Sequence, residues 1–119
     1  MFIRRLKDCP EFLAGDHTIL RQLFHPENHP VEIRYSIAHA TVRPGERSLR
    51  HALTSTEVYY ILEGEGEMQI DAETEQVSPG DIIYIPPRAV QSILNTGTTN
   101  LVFLCMVDPA WREDDEIIL

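Results

Sequence analysis

Two stretches decide how this chain folds: GERSLRHALTSTEVYYILEG, residues 45–64, and GDIIYIPPRAVQSILN, residues 80–95. In the first, Thr56 to Leu62 reads as a strand ending at Glu63-Gly64-Glu65-Gly66, a tight-turn composition. In the second, Asp81 to Ile85 ends in Pro86-Pro87, and Val90 to Leu94 ends in Asn95-Thr96-Gly97. The same punctuation continues outward. Thr18 to Phe24 stops at His25-Pro26, and Ile33 to Arg43 stops at Pro44-Gly45. Glu67 to Asp71 runs back from the tight turn, so residues 56–71 read as a hairpin. Glu75 to Val77 precedes Ser78-Pro79-Gly80, and Asn100 to Val107 is the last strand before Asp108-Pro109. Short β-branched and aromatic runs, broken by eight prolines and six glycines, are the pattern of an all-β sandwich or barrel. Only the tail beyond Ala110 has room for a helix.

Alternation assigns the faces. In Ala38-His39-Ala40-Thr41-Val42-Arg43 the even positions are apolar and should line the interior, leaving His39, Thr41 and Arg43 outside. Upstream, Tyr35 and Ile37 are apolar on the outer face, which calls for cover by another segment or subunit. Tyr59, Met68 and Phe103 read as core residues, of which one or two line a pocket mouth, because a small barrel can enclose one small ligand. His17, His25 and His29 lie in or beside loops and read as surface residues. Cys105, in a buried strand, reads as a small hydrophobe. Trp111, just after the last strand, reads as a plug against the barrel end or a dimer anchor. The acidic run Glu113 to Glu116 reads as a solvated face.

The 119 residues are expected to form one domain, long enough to bury a core without staples. Ten basic against 19 acidic residues give a net charge of −9, which argues against nucleic acid and against an anionic membrane surface as partners. No apolar run approaches the roughly 18 residues of a spanning helix. The N-terminus, MFIRRLK, lacks the apolar centre of a secretory signal. Two cysteines are too few for a disulfide scaffold. A cytoplasmic location is the expectation. There is no phosphate-binding glycine loop, no G-x-S-x-G turn and no paired C-x-x-C.

Together the two stretches resemble the two conserved motifs of the cupin superfamily. The first motif is G, five residues, H-x-H, three or four residues, E, six residues, G. The second is G, five residues, P-x-G, two residues, H, three residues, N. Gly45, His51, Glu57 and Gly64 fall on the first, and Gly80, Pro86 and Asn95 on the second. The resemblance spans about residues 35–107. It implies a double-stranded β-helix, a jelly-roll barrel, commonly dimeric, holding one divalent metal on the two His and the Glu of the first motif and the His of the second. This chain departs at two of those four positions: Leu53 replaces one His and Gln91 another. Arg88 stands at the glycine of P-x-G.

What survives is His51, Glu57 and Gln91. Glu57 shares a strand face with Tyr59 and Ile61, so an inward face puts a carboxylate in a low-dielectric lumen. Such a group takes up a proton or needs a partner: a metal, the His51 imidazolium, the Gln91 amide or water. One nitrogen and two oxygens suit a weak Mn²⁺, Fe²⁺ or Ni²⁺ site better than a tight Zn²⁺ or copper one. His39 is a substitute ligand only if the facing argument fails. Two readings follow. In one, a weakly held divalent ion acts as Lewis acid on a small polar metabolite, Glu57 ligating and Tyr59 orienting substrate, with isomerase, dioxygenase and decarboxylase chemistry all open. In the other, the lumen is a metal-free binding module in which His51 and Gln91 donate hydrogen bonds. An exposed sheet edge and the outer Tyr35 and Ile37 favour a homodimer.

Overall fold

A computed structural model describes all 119 residues. Eleven strands follow one another: β1 (Glu11–Leu13), β2 (Ile19–Phe24), β3 (Ser36–Val42), β4 (His51–Leu53), β5 (Thr56–Glu63), β6 (Gly66–Ile70), β7 (Glu73–Val77), β8 (Ile82–Ile85), β9 (Gln91–Asn95), β10 (Leu101–Asp108) and β11 (Glu116–Ile118). They form two antiparallel sheets, one of six strands in the order β1-β2-β3-β10-β5-β8 and one of five in the order β11-β4-β9-β6-β7. Their inner faces meet as a jelly-roll barrel, the all-β architecture read from the turn pattern.

The alternation in β3 holds: Ala40 and Val42 are buried, while His39 and Thr41 are half-buried on the other face. Ile37 is half-buried and lies beside Phe24 of β2 and Met106 of β10 in the same sheet. Tyr35 remains exposed and precedes the strand, which starts at Ser36 rather than Ile33.

The expected hairpin over 56–71 does not form. β5 pairs with β10 and β8 in one sheet, and β6 pairs with β7 and β9 in the other. The Gly64–Gly66 segment therefore carries the chain from sheet to sheet, close against the start of β10. Gly64 has φ +84°, and a Cβ there would lie 2.5 Å from the Asn100 carbonyl oxygen. These glycines permit a close backbone approach, which a local turn composition cannot distinguish from a hairpin. The true hairpin in this region joins β6 to β7, with Asp71 at positive φ in its turn.

The apolar core fills one end of the interior. Ile61, Ile85, Ile93, Leu101 and Phe103 are at most 1% exposed. Phe103 packs on Tyr59 with ring centroids 4.5 Å apart, the tilted contact favoured by aromatic quadrupoles. The tail after Ala110 contains one short 3₁₀ turn, Glu113–Asp115, and then the edge strand β11 beside β4. No helix is long and apolar enough to cross a membrane.

Candidate functional site

The site is built from facing sheets. His51 on β4 and Gln91 on β9 are direct cross-strand neighbours. Glu57 on β5 reaches Gln91 from the opposite sheet. All three are buried, at 2%, 1% and 6% exposure. β5 alternates as its sequence requires, with Glu57, Tyr59 and Ile61 inward and Tyr60 and Leu62 exposed.

A chain of side-chain hydrogen bonds orders this end. The Tyr59 hydroxyl donates to Gln91 Oε1 at 2.8 Å, and Gln91 Nε2 donates to Glu57 Oε1 at 2.7 Å. Both ends of the Gln91 amide are thereby satisfied. Glu57 Oε2 has no such partner. Burial is the main force on Glu57, opposed by the Gln91 hydrogen bond and reinforced by the nearby Asp16 and Glu116 carboxyls. The net effect pushes its pKa up to about 8, so the group is largely a neutral acid at pH 7. Burial, with Glu57 close by, also raises the pKa of the Tyr59 phenol.

His51 is held from behind. Its Nδ1 donates to the Leu49 carbonyl at 2.7 Å, leaving Nε2 3.4 Å from Asp16 Oδ2. Asp16 is itself buried, and its other oxygen accepts from the Thr18 amide and hydroxyl in a side-chain turn. Sequence reasoning missed Asp16. The signal was local: Gly15-Asp16-His17-Thr18 has the composition of a turn whose aspartate binds its own backbone.

Beside these groups lies a cavity of about 260 Å³, which Gln91 itself does not line. His51, Glu57 and Asp16 line it, with walls from Leu20, Ala38, Phe103, Cys105 and Val107. Tyr59 lines it too. Met68 does not: it is 3% exposed within the apolar core and borders a separate shallow groove beside β7 and β8. His39 is likewise not among the lining residues. Trp111 borders the cavity while 38% exposed, in keeping with a plug. Its amide donates to Ser36 Oγ, and its carbonyl accepts from His25 Nε2. His25 is thus buried rather than on the surface. The acidic run also departs from the expected solvated face. β11 turns Glu116 into the cavity lining, where its Oε2 accepts from Trp111 Nε1 at 3.0 Å.

As a metal centre the donor set falls short. The Gln91 oxygen is taken by the Tyr59 hydroxyl, and Leu53, 4% exposed, offers only methyl groups. No three His, Cys, Asp or Glu side chains come together in ligating geometry. The divalent ion expected on His51, Glu57 and Gln91 does not fit these residues as they are arranged. What the arrangement does provide is a neutral carboxylic acid able to donate a proton and an imidazole, oriented by a backbone carbonyl, able to accept one.

Comparison with known proteins agrees with this architecture. An uncharacterized protein of Methanocaldococcus jannaschii is 40% identical over 109 residues, covering 91% of this chain and 86% of the relative. Against the other curated proteins that match, this chain spans less than half of their length. Among solved structures, a predicted oxalate decarboxylase of Thermotoga maritima superposes with a TM-score of 0.80 at 22% identity, covering 91% of this chain and 99% of that one. The Streptomyces nucleoside dehydratase Pac13 gives 0.80 at 18% identity, covering 100% and 91%. At these identities the superpositions establish the fold. The family model for the cupin domain matches residues 38–107, more than half the chain, and with the motif glycines, His51, Glu57 and the barrel in place this protein belongs to the cupin family.

Proposed function

We propose that this cupin barrel receives a small polar organic molecule in the cavity and holds it by hydrogen bonds from Glu57 and His51 rather than through a metal ion. One observation supports the reading: the Tyr59–Gln91–Glu57 hydrogen-bond chain already engages the Gln91 oxygen and one of the two Glu57 oxygens, and Leu53 offers no ligand atom. It leaves Glu57 Oε2 without a partner, and Glu57 and His51 line the cavity. A volume of about 260 Å³ lies below the roughly 300–1,000 Å³ of drug-sized pockets, so the ligand is compact. The fold also hosts enzymes, and a proton donor beside an imidazole supports a second reading, acid–base chemistry on the bound molecule.

Elemental analysis of protein purified without an affinity tag tests the first reading. Divalent metal well below one equivalent is expected, together with a thermal shift on adding small hydrogen-bonding organic compounds. One retained equivalent that stabilises the fold overturns it. The same reading includes a homodimer through the exposed edge strand β1, where Phe12 and Leu13 are 47% and 66% exposed. Light scattering should then report twice the mass of one chain, and Leu13→Lys should return it to one.

A further inference from the structure

The cavity is not electrically neutral. Three carboxyl groups line it, from Asp16, Glu57 and Glu116, and no lysine or arginine does. The one basic side chain, His51, has its Nε2 3.4 Å from Asp16 Oδ2, so it faces a carboxylate rather than open space. A carboxylate or phosphate ligand would enter a low-dielectric space with no free positive partner, which is unfavourable by desolvation and by repulsion. A second observation is independent of this count. Glu57 is 6% exposed, and only one of its two oxygens is used within the protein, Oε1 by Gln91. Its Oε2 has no hydrogen-bond partner within the protein, and Glu57 is among the residues that line the cavity. The remaining wall includes the aromatic side chains of Phe12, Tyr59, Phe103 and Trp111, whose rings accept apolar bodies and whose faces attract cations.

We propose that the cavity selects a small organic cation, an amine with a compact apolar body, its ammonium drawn to Asp16 and Glu116. The inference rests on the small-ligand reading of the same cavity and narrows it to one charge class. The upward push that Asp16 and Glu116 exert on the Glu57 carboxyl reports the same negative field.

Three probes of equal shape test it: phenethylamine, 2-phenylethanol and phenylacetate, titrated at constant ionic strength by ligand-observed NMR and thermal shift. The amine is expected to bind at least about tenfold tighter than the alcohol, and the carboxylate weakest. Glu116→Gln keeps an acceptor for Trp111 Nε1, and Asp16→Asn keeps one for Thr18. Each should weaken the amine severalfold and leave the alcohol unchanged. Equal or tighter binding of the alcohol or carboxylate overturns the charge selection while leaving the small-ligand reading standing. Binding of none of the three overturns both. Equal loss of amine and alcohol in the two variants assigns them a structural role and overturns the proposed charge contacts.

Discussion

The two ends of the barrel interior are lined by the same strands and are chemically opposite. Along β5 the inward side chains run Glu57, Tyr59, Ile61. Along β4 they run His51, Leu53, and along β9, Gln91, Ile93. On β4 and β9 a step of two residues, about 7 Å of strand, passes from a buried polar side chain to an aliphatic one, and on β5 Tyr59 stands between Glu57 and Ile61. The apolar end stabilises the fold through burial of large side chains. The polar end opposes it, because a carboxyl, an amide and an imidazole leave water there and regain only part of what hydration supplied. The apolar end holds the sheets at fixed separation, so the polar end can stay partly empty without collapsing. Tyr59 is the hinge between the two: its ring packs on Phe103 while its hydroxyl serves Gln91.

The contrast can be broken most severely at the packed end. Ile61→Ala should cost about 2–5 kcal/mol in urea unfolding, because the fully buried site cannot refill. At the polar end the sign reverses. The folded pKa of Glu57, about 8, lies above its ordinary value of 4.5. Its contribution to stability is therefore fully present below pH 4.5 and is lost as the pH rises through 8. Glu57→Gln keeps an acceptor for the Gln91 amide and removes the ionisation. It should flatten the stability profile over that window and leave the variant more stable than the parent by a few kcal/mol at pH 8. A profile with no difference in slope between the two proteins would show that the carboxyl is hydrated or paired in solution.

Tyr59→Phe sharpens the comparison at the junction. It preserves the contact with Phe103 and strands Gln91 Oε1, for a loss of about 1–3 kcal/mol by denaturation. The smallest effect lies outside both ends. Arg88 stands at φ +68°, a conformation that disfavours side chains. Arg88→Gly should gain up to about 1 kcal/mol, read as a rise in the unfolding midpoint.

Much of this was legible in advance. The strand pattern and the shared face of Glu57, Tyr59 and Ile61 follow from turn residues and period-two alternation, whereas a lumen holding His51 and Gln91 was what the cupin resemblance implied. Alternation put Met68 inside, where it is, but it tells inside from outside and not which end of an interior a residue reaches. The Gly64–Gly66 turn was misread because glycine marks permissive backbone, whether the chain reverses or crosses to another sheet.

What the sequence by itself determined is local: which short segments extend, which side chains turn inward, and that two histidine ligands of the family pattern are replaced here by Leu53 and Gln91. Only the tertiary structure decided the company those side chains keep. Asp16 from an early loop and Glu116 from the last strand are separated by 100 residues of chain, yet both border the cavity of Glu57 and His51. Coulomb interaction and desolvation depend on distance through space. The charge of the lumen is therefore set by how the sheets close, and no spacing along the chain encodes it.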